Sequence, residues 1–200
     1  MSRAKELIDL GTVERGRPLE FAHAIPLPVQ RFAKAIIEHR ALPAPALIKP
    51  LNPSERTLSG RLREELDPLT ELVGFDDFAA WIAHWSERFA RLTGGAAVSV
   101  RLFQARGPTC PRFHIDQVSL RLIAALEGPG SDWLRPEDVH YDPDGRITQT
   151  VDDACVQQAR RGSVMVFPGA LHRDDPSDAV VHRSPHCNAQ RIVLTMDIAR

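Results

Sequence analysis

Apolar residues recur at helical spacing through the first half of the chain and at a spacing of two through the second, with the change at Gly94-Gly95. Val29, Phe32, Ile36 and Ile37 form one helical stripe, ended by the Pro43 and Pro45 cluster. Asn52-Pro53-Ser54-Glu55 reads as a capping-box start, with Asn as the cap, Pro at the first helical position and Glu reaching back. Leu58, Leu62 and Leu66 then follow on one face. Phe75, Phe78, Trp81, Ile82, Trp85, Phe89 and Leu92 make the strongest amphipathic pattern of the chain, and the two glycines close it in the way helices commonly end. Such an aromatic stripe predicts a core face laid on a sheet rather than a platform for stacking bases.

Past Gly95, Val98, Val100 and Leu102 alternate with Ser99, Arg101 and Phe103. Short strands are predicted from Phe113 to Val118, Leu120 to Leu126, Ile147 to Val151, Val164 to Phe167, Val180 to His182 and Arg191 to Ile198. Pro129-Gly130, Asp142-Pro143-Asp144-Gly145 and Asp174-Asp175-Pro176-Ser177 read as the turns between them. About seven or eight short strands suit a small barrel or jelly roll, whose mouth is a natural place for a site. The expected fold is α+β: residues 1–95 as a helical extension packed on a jelly-roll, cupin-like core of residues 96–200.

Composition narrows the function classes. A chain of 200 residues that is 43% hydrophobic and 26% charged can build one good core. A net charge of −1 provides no general attraction for nucleic acid or an anionic membrane, although Arg101, Arg106, Arg112 and Arg121 can form a local basic lip. No apolar run approaches the length of a spanning helix, and Met1-Ser-Arg-Ala-Lys-Glu lacks the apolar region of a signal peptide, so a cytoplasmic location is expected. Cys110, Cys155 and Cys187 are odd in number and share no zinc-knuckle spacing, which predicts reduced thiols rather than a disulfide framework. The chain shows no internal repeat, phosphate-binding glycine loop or nucleophile elbow.

The chemistry is concentrated in His114-Ile115-Asp116, with His182 and Arg191 downstream. Side chains at i and i+2 leave a strand on the same face, so His114 and Asp116 can address one ion while Ile115 packs the other way. A second imidazole from a distant strand completes the protein half of a facial Fe(II) site and leaves the opposite positions for other ligands. His182 is the expected donor; His172 and His186 lie in the same segment and compete with it. Arg191, on the last apolar strand, offers a planar fork suited to a carboxylate.

These residues resemble the HxD...H...R signature of the Fe(II)/2-oxoglutarate-dependent oxygenases, over roughly Val98 to Met196. More narrowly, Cys110-Pro-Arg-Phe-His-Ile-Asp-Gln-Val, Gly128-Pro-Gly, Val181-His-Arg-Ser-Pro and Arg191-Ile-Val-Leu-Thr-Met-Asp resemble the bacterial domain-of-unknown-function 1826 family. The oxygenase resemblance implies a double-stranded β-helix core and Fe(II) held by His114, Asp116 and His182. It further implies 2-oxoglutarate anchored by Arg191, and a hydroxylase-type reaction on a small-molecule or peptide substrate. Two departures bear on the cosubstrate: Val193 stands where a serine is common, leaving Thr195 as the next hydroxyl on that face, and the chain has one tyrosine, Tyr141. The alternative is a protein that holds Zn(II) without turnover, using Cys110, His114, His182, His186 or Cys187 in a closed site for storage, sensing or delivery. A third is a scaffold kept for recognition alone.

Overall fold

A computed structural model of the chain describes residues 14–51, 58–172 and 175–199. Its helices are α1 (Leu27–His39), α2 (Leu58–Glu65) and α3 (Phe75–Leu92). Its strands are β1 (Leu19–Phe21), β2 (Ala46–Leu51), β3 (Val98–Ala105), β4 (Leu120–Glu127), β5 (Asp132–Leu134), β6 (Val156–Gln158), β7 (Val164–Pro168), β8 (His182–Arg183) and β9 (Arg191–Ile198). Six strands form a major sheet in the order β1-β7-β4-β9-β3-β2, and three form a minor sheet in the order β6-β5-β8. Every pairing within them is antiparallel.

Alternation along the strands assigns the two faces of the major sheet. Leu120, Leu122, Ala124 and Leu126 of β4, Val98, Val100 and Leu102 of β3, and Ile192, Leu194 and Met196 of β9 all enter one core with α1 and α3. The opposite residues, Arg121 and Ile123, Ser99, Arg101 and Phe103, and Arg191, Val193, Thr195 and Asp197, line a cavity. Strand β7 is buried throughout because it is covered on both faces: Val164 and Val166 join the helical core, while Met165 and Phe167 pack with Val180. The helical side therefore supplies stability and the other side is left for chemistry.

The aromatic stripe of α3 is the core face that its spacing predicts. Phe78 is fully buried and stacks on Phe32 of α1, with ring centroids 4.5 Å apart, and Trp81 Nε1 donates to the Ala24 carbonyl at 2.8 Å. The helix ends at Leu92, and Gly94 and Gly95 both take positive φ. Leu62 and Leu66 are buried in the same core, whereas the capping-box residues 52–55 lie outside the described residues.

The N-terminal half is not wholly helical, because β1 and β2 take the two edges of the major sheet. Strand β1 is three residues long, too short to show a period, and β2 contains Pro50, which reads as a breaker but is tolerated on an edge strand. Two of the expected strands are also absent as such. The segment from Phe113 to Val118 makes a single bridge, His114 to His182, and that from Ile147 to Val151 makes one from Ile147 to Tyr141. Gln149 takes the place of a strand partner for Phe113, accepting from its N–H at 2.8 Å and donating to its carbonyl at 3.0 Å. Strands β5 and β6, three residues each, were not expected. Among the described residues, no helix is long and apolar enough to cross a membrane.

Candidate metal centre

His114, Asp116 and His182 come together. One ligand atom from each lies within 4.8 Å of the others, and among the described residues no cysteine or further acid joins this cluster. The two histidines face each other across a reciprocal backbone pair: His114 N–H donates to His182 O and His182 N–H to His114 O, both at 3.0 Å. Residues so paired in an antiparallel bridge project their side chains to the same side. The imidazole centroids are 4.6 Å apart, and Phe167 of β7 stacks on His182 at 4.7 Å and 17°.

The tautomers follow from the backbone. His114 Nδ1 lies 2.8 Å from the Arg112 carbonyl and His182 Nδ1 lies 3.2 Å from the Val180 carbonyl, and a carbonyl can only accept. Each Nδ1 therefore carries a proton, and each ring turns its Nε2 inward, the arrangement that metal-binding histidines use. Burial, and next the neighbouring His182, lower the pKa of His114 below the ordinary histidine value against the opposing pull of the Arg112 carbonyl and Asp116. That favours the neutral ligand form.

Asp116 completes the set. Its Oδ2 lies 3.2 Å from His182 Nε2, and its Oδ1 lies 3.7 Å from His114 Nε2. Oδ2 is buried, and its polar neighbour is His182 Nε2, which pulls the Asp116 carboxyl below its ordinary value against the upward push of burial. Two ring nitrogens and an anionic oxygen converging on one point suit a cation there. The donor set thus fits a metal ion on this structure's own geometry.

The loop after β7 fixes the segment that carries Asp116. Gly169 N donates to Ser119 O and Ala170 N to Asp116 O, both at 2.9 Å. A Cβ on Gly169 would sit 2.2 Å from Val118 O and 2.7 Å from Asp116 O, so the close approach requires glycine. Gly169→Ala is expected to destabilise the protein by about 1 to 3 kcal/mol and to weaken metal binding by displacing Asp116. Thermal unfolding with and without metal checks both effects.

The cavity above the cluster has a volume of about 840 Å³ and is also lined by Cys110, Arg183, Ser184, Arg191, Val193 and Thr195. Arg191 is 2% exposed, and its guanidinium makes no hydrogen bond or ion pair among the described residues; its Nε is buried without a partner. Burial lowers its pKa, offset only in part by Cys187 and Asp132. Cys110 is pinned to the residue that follows β8: Ser184 N donates to Cys110 O at 2.8 Å and Cys110 N donates to Ser184 Oγ at 3.2 Å. Arg183 donates to Asp132 at 3.1 Å and lies over the Phe113 ring.

A protein-family model for a family of unknown function, DUF1826, matches residues 25–197. The chain belongs to that family. No curated protein matches this DUF1826 chain in sequence at a significant level. Its fold is similar to that of a prolyl-4-hydroxylase from Pseudomonas putida, with a TM-score of 0.50 and 16% identity over 96% of this chain and 90% of that one. It is similar also to dioxygenase for auxin oxidation 1 from Arabidopsis thaliana, solved with 2-oxoglutarate, with a TM-score of 0.53 and 10% identity over 93% of this chain and 84% of that one. The rice dioxygenase for auxin oxidation gives a TM-score of 0.50 and 16% identity, over 93% and 74%. At these identities the likeness is one of fold.

Of the residues expected from the sequence of this DUF1826 chain, His114, Asp116 and His182 cluster, and Arg191 and Thr195 face the same cavity from β9. His172 and His186 are not in the cluster, and neither are Cys110 and Cys187, so the sulfur ligands of a closed zinc site are not assembled. Of the arginines expected to form a basic lip, Arg101 and Arg121 line the cavity and Arg106 and Arg112 do not. Tyr141 is exposed and outside it. Sequence reasoning missed Phe167, Gln149 and Gly169, and read Arg121 only as part of a basic lip near the site. An arginine inside the otherwise apolar run Leu120-Arg-Leu-Ile-Ala-Ala-Leu was the available signal.

Proposed function

We propose that this DUF1826 protein is an Fe(II)/2-oxoglutarate-dependent oxygenase of the hydroxylase type, acting on a small-molecule or peptide substrate. Its two antiparallel sheets then correspond to a double-stranded β-helix, with residues 96–200 as the metal-binding core and residues 1–95 as its support. The observation that carries the reading is the convergence of two Nε2 atoms and Asp116 Oδ2 on one point, in the cavity lined also by a buried arginine whose guanidinium makes no hydrogen bond or ion pair among the described residues. A set of two imidazoles and one carboxylate without sulfur favours Fe(II) over a thiolate zinc site. Bound iron with its keto-acid cosubstrate supplies the oxidising chemistry, and the protein supplies position and exclusion of water.

The residues divide that work between them. His114, Asp116 and His182 hold the ion. Arg191 takes the distal carboxylate of the keto acid through its fork of donors, and Thr195, two strand positions beyond Val193 on the same face, adds a hydroxyl. Val193 leaves that stretch of wall apolar, so the carboxylate depends on Arg191 more heavily than where a serine helps. Free thiols at Cys110, Cys155 and Cys187 suit a reducing cytoplasm, where Fe(II) is also stable.

Arg191→Met is expected to leave metal affinity nearly unchanged while lowering keto-acid affinity by roughly ten-fold or more. Lysine restores part of it, since an ammonium lacks the planar fork. The same Met substitution is expected to raise the thermal stability of ligand-free protein, because it removes a buried charge that makes no direct ion pair among the described residues. Calorimetric titration of metal-loaded protein with 2-oxoglutarate under nitrogen measures the affinities. Equal affinity in wild type and Arg191→Met rules out the anchor.

A further inference from the structure

A second carboxylate, Asp197, lines the cavity, and the structure gives it no place in the metal cluster. Arg121 explains why. In the ladder of β4 and β9, Arg121 and Asp197 are direct cross-strand partners. Arg121 Nε donates to Asp197 Oδ1 at 2.7 Å and Nη2 to Asp197 Oδ2 at 2.8 Å, so both oxygens of Asp197 are engaged by one side of the guanidinium. The third donor, Nη1, reaches Asp116 Oδ1 at 2.8 Å. The planar fork is thereby fixed by two carboxylates and spans from the wall of the cavity to a ligand of the proposed metal.

From this we infer that Arg121 is a positioning residue that sets how Asp116 meets the ion; the inference rests on the metal site proposed above. It holds Oδ1 toward the guanidinium and leaves Oδ2 as the oxygen turned to His182 Nε2 and the ion. It also neutralises Asp197 and keeps that carboxylate from competing as a ligand. An ion held through one carboxylate oxygen retains a coordination position that bidentate binding would fill, and a chelating cosubstrate needs such positions. One arginine thus keeps two carboxylates from closing the site. A purely structural reading is that Arg121 only clips β4 to β9 through Asp197. The contact to Asp116 at 2.8 Å is what that reading leaves without a purpose.

Co(II) separates the two, because its visible ligand-field bands report coordination number and symmetry without any turnover. Wild type, Arg121→Met and Arg121→Lys are loaded with Co(II) under nitrogen, and folding is checked by near-ultraviolet circular dichroism. The expected result is that all three bind Co(II), that Arg121→Met shows shifted bands as the released oxygens of Asp116 or Asp197 enter the coordination sphere, and that Arg121→Lys returns toward the wild-type spectrum. Unchanged bands in metal-loaded Arg121→Met reduce Arg121 to a strand clip and overturn the inference while leaving the metal site intact. Should Arg121→Met fail to fold, X-ray absorption on wild-type Co(II) protein decides: Asp116 bound through one oxygen supports the inference and bidentate Asp116 overturns it. A wild-type protein that binds neither Co(II) nor Fe(II) overturns the metal site itself.

Discussion

His182→Ala is expected to lower Fe(II) affinity by about 100-fold or more, since loss of a residue that merely orients a ligand already costs about 10- to 100-fold. His114→Ala and Asp116→Ala should do the same, each removing one of the three converging donors. The proteins should stay folded. The backbone pair between residues 114 and 182 uses main-chain atoms only, and the packing lost at His182 is largely its face on Phe167. His172→Ala should retain wild-type affinity, because His172 lies outside the cluster. Competition of each variant with a chromogenic chelator measures the constants. Full occupancy in His182→Ala together with loss in His172→Ala would reverse the assignment of the third ligand.

Phe78→Ala is expected to cost about 3 to 5 kcal/mol of stability. The ring is fully buried and stacks on Phe32, which in turn meets Phe75 edge-on at 5.9 Å, so truncation opens a cavity at the contact between α1 and α3. Trp81→Ala and Trp85→Ala should fall in the same range, with Trp81 also leaving the Ala24 carbonyl without its donor. Chemical denaturation of the three variants tests this. Little loss of stability would mean that the stripe is a binding platform after all.

Much of the candidate site was legible in the sequence because its residues are chemically conspicuous. His114, Asp116, His182 and Arg191 form a spaced set of residue types with few other uses in that combination. The reason the spacing works was less legible. An i, i+2 pair on a strand was expected, yet the segment makes a single bridge and borrows the Gln149 side chain as a surrogate neighbour, a contact 36 positions apart in sequence. Arg121 was invisible as a positioning group for a similar reason: its meaning depends on the register that sets it opposite Asp197. On the fold, the long elements α1, α3, β3, β4 and β9 follow their patterns, and the short, wholly buried β7 shows as an apolar run. The short edge strands β1 and β2 do not, since three residues carry no period and an edge strand tolerates the proline that argues against it. Pairing partners, rather than local preference, made them strands.

The three donors and Arg191 form one working site only if metal and keto acid bind together. Metal-free protein titrated with Fe(II) under nitrogen, and then with 2-oxoglutarate, tests this most directly. The expected result is stoichiometric iron binding followed by a visible charge-transfer band that saturates with the keto acid and is lost in His182→Ala. Iron binding with no band at millimolar 2-oxoglutarate would contradict the cosubstrate assignment, and no iron binding at all would contradict the metal site.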